Sequence, residues 1–573
     1  MKKLLILLPL LFLVLPILAQ YNERDILSQQ AYQHLGQRQY AEAEKLFLEI
    51  LEKFPDDSNS VFQLLSIYFQ TAQTDKADNL LSKHRRILPV NQASEQEILL
   101  RVMQGRPDDA WQLSQAHLQR LGYAENTYRL IASYFERRGF YDRVLELYQE
   151  AREKRNNPEL FRLEMANAAL NYRRFDLALQ EYLTFLQKNP GNLFFVNNQC
   201  KTILTEDPGS IDAIGDFAQR SSSPIILELY ANALVSQKRE AEALEVFKSL
   251  PQDRLLNFAD QQYKAFNDDV ALASFAWLEQ ISQDVVDRND YRFRQALIHF
   301  RNSHHVETDS LLRAVVTDSL MLDRKNYQRK GINLNARRLM ADNLLALQLD
   351  TQEAAYWYGE ARRFCSTAYD LQNIDLALIR LMMIDEEYEK ALKKLDEINE
   401  VRHLETRDYL RFNVELLSGN IEVADSLMNE YVIRYPGGVY VNDAIYFMMF
   451  SLGLEAEPLE NFHKAIRQMM LSDPAAVETL LEVFEDSQDE EILSLAIEWA
   501  IMLAENQRAA QLLDREWEDS LSAEYAAYLK LTLSEGESAQ RLAREFLKEN
   551  PNSIFSPKFR QDLGRSSYGR PEY

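Results

Sequence analysis

A short motif returns along this chain every 33 or 34 residues, and that spacing limits the fold more than any other feature. Arg38-Gln39-Tyr40-Ala41-Glu42-Ala43 is followed by Phe47, Ile50 and Pro55. A shift of 34 carries Ala43 to Ala77, Phe47 to Leu81 and Pro55 to Pro89. Further steps of 33, 34 and 34 reach Ala110, Val144 and Ala178, with Tyr148, Tyr182 and Pro190 in the following slots. The period fits two helices of roughly three to four turns joined by a short turn. The small residue opens the second helix where it crosses the first, and a larger side chain there would force the two apart. The residue four later lies on the same face one turn on and fills the space between units. Proline then stops the helix. One pair cannot bury its apolar face alone, so the pairs must stack.

This pattern resembles the tetratricopeptide repeat over residues 24–192. It returns at Ala243, Ala354, Ala391 and Ala424, with weaker echoes at Ala213/Phe217, Ala465/Met469, Ala509/Leu513 and Ala539/Phe546. The resemblance implies an all-α fold, an alpha-alpha superhelix: a right-handed solenoid of antiparallel helix pairs. Two departures are visible. Leu27, Val61, Tyr128 and Leu227 stand where the family's first helices carry Trp, and Ala31, Leu65, Ala132, Ala166 and Ala231 stand where they carry Gly. Residues 252–334 lose the proline stops and the aromatic-plus-small pairs but keep helical recurrences such as Leu311, Leu312, Val315 and Val316. The expected organisation is a signal peptide over 1–19, an N-terminal array over 24–251 and divergent helical repeats over 252–334. A second block follows over 335–438, then degenerate helix pairs over 439–556 and an irregular tail over 557–573.

Composition agrees with helices. The 573 residues hold only 16 Gly and 16 Pro, against averages of roughly 7% and 5%, too few for the turns of a many-stranded β fold. Lys plus Arg is 64 and Asp plus Glu 88, a net charge of −24. That balance argues against nucleic acid, whose binding needs cations to displace phosphate counterions. Residues 473–550 alone carry 19 acids and 6 bases, read as solvated helix faces. Lys2 and Lys3 precede an apolar run from Leu4 to Ala19, shorter than the ~20 residues of a bilayer span, which reads as an export signal cleaved after Ala19, with an uncleaved anchor as the alternative. No later segment reaches spanning length. Cys200 and Cys365 are read as two buried thiols, a bridge between them being the alternative.

The search for chemistry returns little. The nucleophile elbow, the zinc-protease pair, the phosphate loop, the dinucleotide fingerprint and Cys-x-x-Cys are all missing, so no catalytic residue, cofactor or metal is assigned. His299, His304 and His305 with Glu307 and Asp309 have suitable ligand types but no recognised ligand spacing, and an exposed turn is the preferred reading. Arg324, Lys325, Arg329, Lys330, Arg337 and Arg338 form a basic stretch against the acidic background. It reads as a docking patch for an acidic partner or, more simply, as a solvated loop and helix start. Tyr446-Phe447-Met448-Met449-Phe450 is read as a buried helix, with Met-rich binding as the alternative.

The family resemblance directs attention to the concave groove lined by first helices. Register from the small residues places Tyr32, Arg129, Asn167, Asn171 and Asn232 there, and an Asn amide offers both donors and an acceptor to a peptide backbone. The implied function is a non-catalytic protein–protein interaction scaffold gripping peptide or helical segments. With the export signal, the expected setting is the bacterial cell envelope, the periplasm first, with outer-membrane association, secretion or an envelope-associated complex as the alternatives. A glycan- or envelope-binding assembly factor on the same scaffold is the alternative, and an enzyme with its site in 252–334 a third reading.

Overall fold

A computed structural model describes residues 23–322, 325–347, 351–534 and 536–567. The expected signal peptide therefore lies outside the described residues. Among those described there are helices and turns and no strand. Consecutive helices pack as antiparallel pairs, from Tyr40–Lys53 onward to Ser556–Ser567, so the chain is all-α.

One turn geometry makes most of these pairs. The first helix ends in a left-handed residue, and the next residue's N–H reaches back to a carbonyl five positions earlier, as Gln39 does to His34 (2.9 Å), Gln73 to Tyr68 (2.8 Å) and Phe140 to Phe135 (3.1 Å). This closes the orphan carbonyls at the helix end. The second helix begins at once, and the residue four positions after that N–H donor is the small one: Ala43, Ala77, Ala110, Val144 and Ala178 are all fully buried. Ala243, Ala391, Ala424 and Ala509 obey the same offset. Phe47, Leu81, Tyr148, Tyr182 and Phe247, one turn further, are buried between pairs. Pro55, Pro190, Pro436 and Pro551 each stand two residues beyond a second helix.

The divergent stretch keeps the same rule with other residues. Ala271 and Thr308 hold the small slot there, behind left-handed Phe266 and Ser303, and both are fully buried. Two of the weaker echoes shift register. In the helix Ser210–Ser221 the buried positions are Ile214 and Ala218, not Ala213 and Phe217. In Gly536–Glu549 the buried small residue is Ala543 rather than Ala539. The tail is also not irregular throughout: Ser556–Ser567 is a helix, because Phe559 buries fully and stacks on Phe546 at 3.9 Å.

The chain divides into two compact units, one up to Arg254 and one from Leu255. In the second unit the helix Ala456–Met470 returns to pack on Ala368–Ile384, where Arg467 pairs with Glu386 (3.2 Å) and donates to the Tyr388 hydroxyl (3.3 Å). Both cysteines are free; Cys200 is buried, and burial pushes its thiol up to about 12.

Candidate functional site

The residues expected to line a groove in the first unit lie on first helices, most of them already engaged. The Tyr32 hydroxyl accepts from Asn59 Nδ2 (2.8 Å), and its ring stands edge-on to Phe47. Arg129 bonds Glu164 (3.2 Å) and lies 4.8 Å over Phe161. Asn167 accepts the Tyr182 hydroxyl (2.5 Å), which ties it to its own pair. Asn171 is exposed and Asn232 half-buried, and neither side chain has a hydrogen bond among the described residues. Three of the five thus spend polar groups on neighbouring side chains of the first unit.

The basic stretch divides. Arg324 lies outside the described residues, Lys325 and Arg338 are exposed, and Arg329 and Lys330 are half-buried. Arg337 is buried: it bonds Asn333 and the Val316 carbonyl and lies 4.5 Å over the Phe364 ring. It is not part of a surface patch. On the helix Tyr327–Ala346, neighbours in sequence differ by about 100° around the axis, so Arg337 shares the inward side with Asn333 and Met340 while Arg338 faces out.

The histidines do not converge either. His299 and His304 bracket one of the pair turns with Nδ1 atoms 3.4 Å apart, and His305 bonds Asn343 (2.9 Å). No group of three His, Cys, Asp or Glu side chains that could hold a metal ion is present among the described residues.

A site that the sequence reading passed over lies in the second unit. A cavity of about 760 Å³ opens among the helices Leu404–Leu417, Val441–Gly453, Ala456–Met470, Glu490–Met502 and Ser520–Thr532, closed at one end by Ile554 and Phe555. Val441–Gly453 and Glu490–Met502 build its two main walls. Ala444 and Met448 point into the core, while Tyr446, Phe447 and Phe450 face the cavity. The run expected to be a buried helix is thus buried on one side only, with Tyr446 48% and Met449 43% exposed. Ring contacts hold the walls: Tyr409 stacks on Tyr440 (4.3 Å), Phe447 meets Trp499 edge-on (6.5 Å), and Tyr525 stacks on Phe555 (5.4 Å). Met502, Leu521 and Ile554 add exposed apolar surface at the rim, at 71%, 51% and 71%.

Charge in the cavity is one-sided. Asp443, Glu491 and Glu498 line it against one cation, Arg380. Burial pushes the Glu498 carboxyl above the ordinary range and the negative field of Asp443 adds to this, while the Tyr525 hydroxyl, donating to Oε1 at 2.7 Å, opposes it. Asp443 stands at the open mouth, yet the surrounding rings remove enough water to raise it too. Glu491 is raised by burial and by Asp489 and Asp519.

The helix pairs are tetratricopeptide-like. Most join a short left-handed turn to a small residue at the crossing, and together they carry the resemblance seen in the sequence. No family model matches the chain, and no curated protein does. Among solved structures, one of Naa15/Naa10 bound to HypK-THB aligns over 94% of this chain and 85% of its own, at 12% identity and a TM-score of 0.32. The APC/C hetero-tetramer Cut9-Hcn1 aligns over 96% and 98%, at 15% identity and a TM-score of 0.22. The P58(IPK) TPR domain aligns over 75% and 98%, at 12% identity and a TM-score of 0.19. Likeness at this level extends to none of their activities or partners.

Proposed function

We propose that this protein is a non-catalytic docking scaffold whose binding site is the aromatic cavity of the second unit. One observation carries the reading: a preformed cavity of about 760 Å³, walled by stacked rings and rimmed by exposed Tyr446, Met502, Leu521 and Ile554. Contiguous exposed apolar surface marks an interaction site, and the volume falls within the roughly 300–1,000 Å³ of ligand sites. It suits several apolar side chains of one protein segment. Export to a bacterial envelope, argued from Lys2, Lys3 and the apolar run to Ala19, belongs to the same proposal. Recovery of the chain from the cytoplasmic fraction, with Met1 retained by mass spectrometry, would remove that part.

The binding test uses the full chain and an uncharged labelled helix of Leu, Ala and Gln, about 18 residues and roughly 27 Å long. Saturable binding is expected. Met502→Asp with Leu521→Asp should weaken it at least about tenfold, a loss of about 1.4 kcal/mol, while Asn167→Ala with Asn232→Ala leaves it unchanged. Binding indifferent to the Met502 and Leu521 changes, or lost with the asparagines instead, overturns the assignment of the site.

A further inference from the structure

Several half-buried and buried carboxylates elsewhere in this chain have cations beside them. Glu181 is held by Arg152 and Arg162 (2.7 Å each), Asp375 by Arg362 (2.9 Å) and Lys394 (3.0 Å), and Asp408 by Arg407 (2.6 Å) and Arg434 (2.8 Å). Glu498 belongs instead with Glu150 and Asp342, which a tyrosine hydroxyl bonds and no ion pair reaches among the described residues, and of these Glu498 lines the cavity. It is half-buried, its bonded neighbour is the Tyr525 hydroxyl, and no ion pair reaches it, Asp443 or Glu491 among the described residues. A carboxylate taken out of water without a counter-ion is costly, and here the cost falls inside a cavity open to a partner.

The same walls suit a cation in a second way. Tyr446, Phe447, Trp499 and Tyr525 present ring faces and edges around the carboxylates, and an aromatic face attracts a Lys or Arg head within about 6 Å. The helices Glu490–Met502 and Ser520–Thr532 also come from residues 473–550, which hold 19 acids and 6 bases. A field of that sign steers basic ligands toward the cleft. The exposed apolar rim decides against a small free cation, which would leave Met502, Leu521 and Ile554 uncovered.

We propose that the cavity takes a basic amphipathic segment of a protein partner, its apolar residues covering the Met502–Leu521–Ile554 rim and one Lys or Arg entering to meet Glu498 and Asp443. This rests on the docking reading above and adds the charge of the ligand. Burial raises both carboxyls, and an incoming cation acts in the opposite direction on each.

The experiment compares two peptides on the full chain: the uncharged helix and the same helix with one central Gln replaced by Lys. The Lys peptide is expected to bind at least about tenfold more tightly. Glu498→Gln with Asp443→Asn should abolish that preference, with the circular dichroism spectrum and thermal midpoint showing that the chain still folds; a preference that persists in this variant overturns the charge reading. Glu482→Gln with Glu485→Gln, on exposed positions of the same acidic stretch, should preserve the preference. Equal affinity of the native chain for the two peptides overturns the charge reading and leaves the docking site standing. Loss of the preference in the Glu482/Glu485 variant overturns it as well, because the attraction is then bulk charge. Failure of both peptides to bind overturns the docking reading itself.

Discussion

At the scale of single residues, the informative groups are those whose surroundings oppose their chemistry. His463 is one: it is 6% exposed, its Nε2 lies 3.5 Å from the Ser451 hydroxyl, and burial with Arg467 nearby lowers it to about 4. The unfolded chain takes that proton near 6.5, so stability falls as pH drops from about 6.5 to about 4, by up to about 3 kcal/mol. His463→Gln should flatten that part of the pH profile, read as the difference between native and variant urea midpoints followed by Trp499 fluorescence. Parallel profiles would show that His463 is not the cause. Arg337 teaches a related lesson about legibility. Its charge and basic neighbours suggested a surface patch, but sequence proximity says nothing about which side of a long helix a side chain occupies. Asn333 at i−4 and Met340 at i+3 identify the buried side only once the helix Tyr327–Ala346 has been docked.

Elements are where the sequence was most readable. The small residue, the aromatic one turn later and the terminal proline are local requirements of a helix crossing, so Ala43, Phe47 and Pro55 could be recognised without tertiary knowledge. The divergent pairs escaped because Thr308 fills the slot as well as Ala does. The cavity escaped for a different reason: its walls come from helices far apart in sequence, and the periodicity that announces a repeat is silent about a helix folding back. The turn itself yields a prediction. Ala72 is left-handed with φ 55°, a conformation that costs a residue with a Cβ roughly 1–2 kcal/mol. Ala72→Gly should therefore stabilise the first unit by about 0.5–1 kcal/mol. Gly105→Ala should destabilise it by about 1 kcal/mol, since its φ is 72° while open space surrounds the added Cβ. Thermal midpoints moving in the same direction for both would contradict this account.

At the scale of the whole molecule, the two units should answer separately to perturbation. Glu181 is buried between Arg152 and Arg162 in the first unit, and removing one member of a buried ionic group costs about 3–5 kcal/mol. Trp111 reports on that unit, whereas Trp277, Trp357, Trp499 and Trp517 belong to the second. In a background keeping Trp111 and Trp499 one at a time, Glu181→Ala should lower the denaturant midpoint seen by Trp111 and leave that of Trp499 in place. A joint shift would mean the units unfold as one block.

The return of Ala456–Met470 onto Ala368–Ile384 has a kinetic meaning. Stacked repeats contact only their neighbours and can grow from any nucleus. Arg467 meets Tyr388 across 79 residues, so this junction closes a long loop and must wait for the intervening pairs. The cavity, walled in part by that returning helix, therefore needs the pairs between Ala368 and Met470 in place before it can hold a partner.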